Sequence, residues 1–336
     1  MNTKNIIAAS VFAALTAFPS QANIIFEFNY VDNASNPGVG FLDATYGAAR
    51  QQAMEEAGTL YSNLFSNYFS NSGTIYLDAT SSDDAASSTL ASAGSYLTSG
   101  CSGTGNCVIN EVVKTKLQTG VDTNGDGFGT ILSDGTGNNT DGSVDVNWGS
   151  EWTVDPNDTD PNKFDFFAAI FHELTHALGF SSMIHEDGSG VFNNEWSMFD
   201  TFLQNANGDS IIQSDSTLDQ TVWDDAKTGG TGSGIFFGGA NAVAANGGDL
   251  VGIYSPTSWA GGSSGSHIDG APFPTDMMKY DRGYGPETRT FSAIDVGVLT
   301  DIGYTRNATT SVPEPSTLGL GLFGLLCGLF IRRKNS

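Results

Sequence analysis

Positive charge is scarce in this chain. Of its 336 residues, 13 are lysine or arginine against 37 aspartate or glutamate, for a formal charge of −24. Such a field repels nucleic acid and anionic membrane surfaces, which sets nucleic acid aside as a partner. It suits a protein that stays soluble after export, and its carboxylates suit calcium. Cysteines number three, too few for a disulfide-dense scaffold. Histidines number four, so a histidine cluster at regular spacing is improbable by chance. No stretch reads as a coiled coil, and no internal repeat is found. Glycine is abundant, with 42 residues among many serines and asparagines, and this predicts a loop-rich body.

Both ends carry targeting patterns. Met1–Ala22 reads as a secretory signal peptide: Lys4 gives the basic start, Ile6 to Phe18 is apolar, and Ser20-Gln21-Ala22 is a small-x-small cleavage site. The mature chain then begins near Asn23. At the other end, Val312-Pro313-Glu314-Pro315-Ser316 leads into Thr317 to Ile331, and Arg332-Arg333-Lys334 follows at once. The 15 residues of that run are short for a transmembrane helix, which needs about 20 and at least about 17. The basic cluster would stay on the cytoplasmic side. A permanent single-span anchor is one reading of residues 311–336. The tripartite pattern also resembles the PEP-CTERM sorting signal of Gram-negative bacteria. That resemblance implies transient membrane anchoring, removal of the tail by exosortase-type machinery, and export to the cell surface or beyond.

The intervening 23–310 suffices for one large domain or for two lobes around a cleft. Cys101 and Cys107 bracket the turn-forming Ser102-Gly103-Thr104-Gly105-Asn106, so an exported chain would bridge them in a small disulfide loop. Cys327 falls in the apolar tail. A strand is expected near Asn23–Tyr30, a long helix over Phe41–Phe69, and a strand at Thr74–Asp78. Val108–Leu117 fits either state. Gly142–Trp148 alternates Val144, Val146 and Trp148 with Asp145 and Asn147, so it reads as a strand. Asp122, Asn124 and Asp126, with Gly127 in sixth place, match the opening of an EF-hand-type calcium loop. The twelfth position holds Ser133 rather than glutamate, with Asp134 next, and no flanking helix pair is evident. Asp141, Asp145, Asp155, Asp158 and Asp160 are weaker candidates of the same kind.

The most informative stretch is His172-Glu173-Leu174-Thr175-His176, which has the form H-E-x-x-H. Residues four apart on a helix share a face, so His172 and His176 can aim two imidazoles at one zinc ion. Glu173 sits beside them and can act on a water as general base. Asp160-Pro161 reads as the N-cap and first turn of the helix. Phe164, Phe167, Phe171, Leu174 and Leu178 recur at helical steps, and Gly179 suits its end.

A catalytic zinc usually takes three protein ligands. Ser182, six residues after His176, cannot serve. His185, Glu195 and His267 remain. After His267 come Pro274-Thr275-Asp276-Met277-Met278-Lys279-Tyr280 and then Phe291 to Tyr304, an expected helix closing at Gly303.

This order resembles the leishmanolysin-like metzincins over about residues 140–305. In that family H-E-x-x-H-A-L-G-F precedes a long insertion, a third histidine, a methionine turn and a helix ending in a glycine-aromatic signature. The resemblance implies an α+β zincin fold with an N-terminal lobe (23–180) and a C-terminal lobe (181–310). It implies His172, His176 and His267 as zinc ligands and Glu173 as the catalytic glutamate. Met278 would be the Met-turn residue, with Met277 the alternative, and Tyr280 stands where some metzincins lend a phenol to the oxyanion. The activity implied is hydrolysis of peptide bonds in extracellular proteins. A strand along the cleft would pair with substrate backbone, and Gly142–Trp148 is the candidate. The family's cysteine framework is missing, and the insertion from Met183 to Ser266 matches nothing assigned. Its glycine-rich part, Gly229–Gly248, reads as a mobile lid or a long surface loop. The competing reading is a non-catalytic exported surface protein with a structural zinc or calcium site.

Overall fold

A computed structural model describes residues 23–33, 37–101, 106–124, 139–192 and 194–307. The signal peptide, the sorting segment, Asp126, Ser133, Asp134 and Cys327 lie outside them. The main elements of the first half are β1 (Ile24–Tyr30), α1 (Gly47–Ser66), β2 (Gly73–Ser82), β3 (Ala91–Ser95), α2 (Val112–Thr119), β4 (Gly142–Asn147) and α3 (Phe166–Ala177). The helix expected from Phe41 begins only at Gly47. Asp43 Oδ1 accepts the N–H groups of Thr45 and Tyr46 at 2.8 Å, which sets a turn there instead.

The four strands order as β1-β2-β4-β3. β1, β2 and β4 are parallel, and β3 runs antiparallel to β4. The expectation that Gly142–Trp148 lies along the cleft is therefore corrected. β4 is an inner strand, with Gly142 opposite both Leu77 and Ser95, so its ladder groups are used on both sides. The outer strand is β3, whose second edge is unpaired among the described residues. Ile75, Leu77, Val144 and Val146 share one core with Ala57, Tyr61 and Phe65 of α1 and with Phe167, Ile170 and Leu174 of α3. Full burial of each large apolar side chain contributes roughly 1.5–3 kcal/mol, and this packing fixes α3 against the sheet.

α3 starts later than its sequence suggests. Asp160 forms a local turn, its Oδ1 accepting Asn162 N–H at 2.9 Å. The cap is Asp165, which accepts Ala168 N–H at 3.0 Å and is held by Arg289, with Nε 2.9 Å from its Oδ2. A buried carboxylate with a guanidinium partner outcompetes a half-buried one at the same task. The far end of α3 is closed by Tyr304, whose hydroxyl donates to the Leu178 carbonyl at 2.8 Å. Gly179 follows at φ +97°, and a Cβ there would lie 2.7 Å from Glu111 Oε1. Conformation and space both call for glycine.

The insertion is not a structureless loop. It contains β5 (Leu203–Gln204), α4 (Gln220–Ala226), β6 (Ile235–Phe237), α5 (Ala240–Ala245) and β7 (Val251–Ile253). The three strands form an antiparallel sheet in the order β5-β6-β7. Gly229–Gly248, read as lid or loop, thus holds a strand and a helix. α5 packs on α6 (Ala293–Asp301) so closely that a Cβ on Gly297 would stand 2.6 Å from Ala242 Cα. The molecule is α+β, and its contacts group the chain through Thr305 as one unit. No helix among the described residues is long and apolar enough to cross a membrane.

Candidate metal centre

β7 leads directly to the site through three adjacent backbone lanes. Tyr254 N–H donates to the His267 carbonyl at 2.8 Å, and Ile268 N–H donates to the Met278 carbonyl at 2.8 Å. Ile268 bridges Ile253 on one side and Lys279 on the other. The middle lane thereby delivers His267 to the face of α3 that carries His172 and His176.

The three imidazoles meet Nε2 to Nε2. The separations are 3.0 Å between His172 and His176, 3.1 Å between His176 and His267, and 3.1 Å between His172 and His267. Each Nδ1 is turned to a backbone carbonyl: Met277 at 2.8 Å, Phe180 at 2.6 Å and Ser263 at 2.8 Å. A carbonyl only accepts, so each Nδ1 carries the proton and each Nε2 presents a lone pair. Three lone pairs converging in a buried place repel unless a cation lies among them. Two nitrogens bound to a tetrahedral zinc at 2.0–2.1 Å are roughly 3.3 Å apart, close to the spacing here. The residues fit zinc, and the carbonyls supply the outer support that metal-binding histidines use. Among the described residues no fourth His, Cys, Asp or Glu joins the cluster.

Arg282 Nη2 also donates to the Met277 carbonyl and lies 2.8 Å from His172 Nδ1. If it donated to Nδ1 instead, the proton on His172 would move to Nε2 and point at the other imidazoles. The carbonyl has two lone pairs and takes both donors, so the Nδ1–H form stands.

Burial holds all three histidines in the neutral form that binds metal. His172 lies well below the usual imidazole range because of burial, His176 and Arg282. Burial lowers His176 to about 4 and, with His176 beside it, lowers His267 to about 3. A stability dependence results. The unfolded chain binds protons that the folded histidines refuse, so this contribution is full above about pH 6.5 and is lost as pH falls through the folded values. In chelator-treated protein, His267→Gln should flatten the loss of Tm between pH 6.5 and about pH 4. Thermal melts across that range test it, and an unchanged acid limb would count against the assigned charge state.

Glu173 is buried beside the cluster and takes a hydrogen bond from the backbone of Ala93 on β3. Burial raises its pKa to about 8, against the pull of Arg282. A divalent cation among the histidines would lower it again. The cleft in front of these groups has a volume of about 830 Å³ and is lined by Leu90–Ala93 as well as by Glu173, His267, Tyr280 and Arg282. Tyr280 is 41 % exposed and stacks on Tyr254, with ring centroids 3.6 Å apart and planes 11° apart. Met277 and Met278 are both fully buried, and Met278 N–H is held by Asp276 Oδ1 at 2.8 Å.

The structure separates the other ligand candidates from this cluster. His185 closes a turn with Ser189, its N–H 2.8 Å from that carbonyl. Glu195 accepts from Ser99 Oγ and Gly100 N–H beside the Cys101–Cys107 disulfide, which is formed as expected. At the calcium-like loop, Lys116 Nζ lies 2.7 Å from Asp122 and 3.1 Å from Asp141, so one ammonium bridges the two carboxylates. Asn124 Nδ2 donates to the Thr140 carbonyl at 2.8 Å. Asp145 accepts from Thr80 and Ser82 within the sheet. Three features had no sequence signal: the β3 edge, the buried Arg282 and the partnership of Tyr254 with Tyr280.

Comparison with known families matches the C-terminal segment. The model of the PEP-CTERM protein-sorting motif covers residues 311–334. No curated protein matches the chain. The motif is the signal of exosortase-type sorting in Gram-negative-type bacteria. The chain is thus an exported protein, associated with the cell surface through its C-terminus.

Proposed function

We propose that this chain is an exported zinc metalloendopeptidase of the zincin type, resembling leishmanolysin-like metzincins, that hydrolyses peptide bonds of extracellular proteins. The carrying observation is the convergence of three neutral Nε2 atoms within 3.1 Å, each fixed by a carbonyl behind it. Zinc held by His172, His176 and His267 supplies Lewis acidity to a scissile carbonyl and to the attacking water. Three protein donors, with no fourth among the described residues, would suit a catalytic rather than a structural zinc.

The chain's own groups do the rest. The outer edge of β3, apart from the Ala93 N–H that Glu173 holds, takes an extended peptide by main-chain hydrogen bonds, which places the scissile bond beside Glu173. The Glu173 carboxylate takes a proton from the water and passes it to the leaving nitrogen. Its bond to Ala93 ties the base to the strand that binds substrate, so the two keep one geometry. The Tyr280 phenol donates to the developing oxyanion from the Met-turn side. The −24 charge favours approach of basic or neutral segments over acidic ones.

Elemental analysis of the purified exported protein should find about one zinc per chain, and cleavage of casein should stop with chelator and return with zinc. Zinc without any cleavage would favour a surface protein with a non-catalytic metal. Absence of zinc would remove the peptidase reading.

A further inference from the structure

We propose that Tyr254 is a positioning residue for Tyr280: its ring, stacked face to face on Tyr280, holds the Tyr280 phenol at the metal-facing cleft. This rests on the peptidase reading and adds to it a residue outside the set that would hold the metal.

Three observations carry the proposal. The backbone lanes place Tyr254 and Tyr280 on either side of His267, because Tyr254 N–H bonds the His267 carbonyl and Ile268 N–H bonds the Met278 carbonyl, both at 2.8 Å. The stack is close and nearly parallel, at 3.6 Å and 11°. Finally, the pair stands between two cavities. Both tyrosines line the cleft of about 830 Å³ that holds the histidines, and both line a second cavity of about 530 Å³ with Pro274, Lys279 and Asp269.

Tyr280 is 41 % exposed and sits in a bend just past the bridge residue Lys279. An exposed phenol in that situation is free to change rotamer. The second cavity gives its ring a place to go, away from the oxyanion. Tyr254 is the ring it rests on, and Tyr254 is itself fixed through its backbone to ligand residue His267. The hydroxyls sit close together: burial first, and the Tyr280 phenol next, hold the Tyr254 hydroxyl above the usual phenol range. The pair is a close face-to-face contact rather than the offset or edge-on arrangement rings prefer, so Tyr254 acts chiefly by filling the space behind the Tyr280 ring and restricting its rotamers, which shifts a two-state population by about five- to tenfold.

The test is a double-mutant cycle in the zinc-loaded protein on one fluorogenic peptide. Tyr280→Phe should lower kcat about 100-fold at unchanged zinc content. Tyr254→Leu should lower kcat about five- to tenfold with KM within about twofold, and Tyr254→Phe should restore most of that loss. In the Tyr280→Phe background, Tyr254→Leu should cost nothing further, since its effect passes through the phenol. In metal-free protein, Tyr254→Leu should also remove the near-ultraviolet circular dichroism of the stacked pair. Additive losses, or an unaltered kcat in Tyr254→Leu, overturn the proposal while leaving the peptidase intact. A zinc-loaded wild type that cleaves nothing overturns the peptidase reading and this inference with it.

Discussion

Glu173→Gln should keep one zinc per chain and lose peptide hydrolysis by about 10²–10⁴-fold in kcat, the usual range for removal of a general base. In the proposed site the side chain is not a ligand, and the three imidazoles that would hold the metal remain oriented by the carbonyls of Met277, Phe180 and Ser263. Glutamine keeps the shape and can still accept from the Ala93 backbone. The substitution also removes a buried carboxyl whose pKa burial has raised to about 8. Folding no longer has to desolvate that group, so Tm should hold or rise. Lost activity in an equally stable, zinc-bound protein is therefore the expected signature. Turnover within about tenfold of wild type would mean that another group takes the proton.

His267→Ala should lose the metal. Two histidines on one helix remain, and the donor set falls below the three that a catalytic zinc uses. Wild type should gain about 4 kcal/mol of apparent stability from zinc at a thousand times its Kd, and the variant almost none. The fold should survive, because His267 is carried by main-chain bonds to Tyr254 that alanine also makes. His185→Ala is the matched control and should bind zinc normally, since His185 sits in its own turn with Ser189. Titration calorimetry with zinc on both variants separates the outcomes. Zinc retained by His267→Ala and lost by His185→Ala would move the third ligand.

The pair on α3 was legible because a helix turns local spacing into geometry: four residues apart is one face. His267 was legible only through the methionine turn downstream of it, since no spacing rule links residues 91 positions apart. The start of α3 was misplaced because Asp160-Pro161 carries the usual cap signal. The competing cap, Asp165, draws its advantage from Arg289, 124 residues away. β3 was invisible for a different reason. Ala91-Ser92-Ala93-Gly94-Ser95 has neither alternation nor bulk, and it is a strand because β4 offers it an edge. In the insertion, Ile235-Phe236-Phe237 was too short a run among glycines to announce a strand, yet the long-range ladder with Val251–Ile253 makes it one.

The histidine that completes the cluster has a consequence in time. Contacts of 91 and 95 residues close the triangle, while its first side spans four. Pairings of such high sequence separation form late, after the local helices. α3 by itself supplies two imidazoles and a glutamate, and the third imidazole comes from another part of the chain. Only after β5, β6 and β7 have assembled does the lane carrying His267 exist. The geometry of the cluster therefore depends on the insertion as much as on α3, because the lane that carries His267 is held by β7.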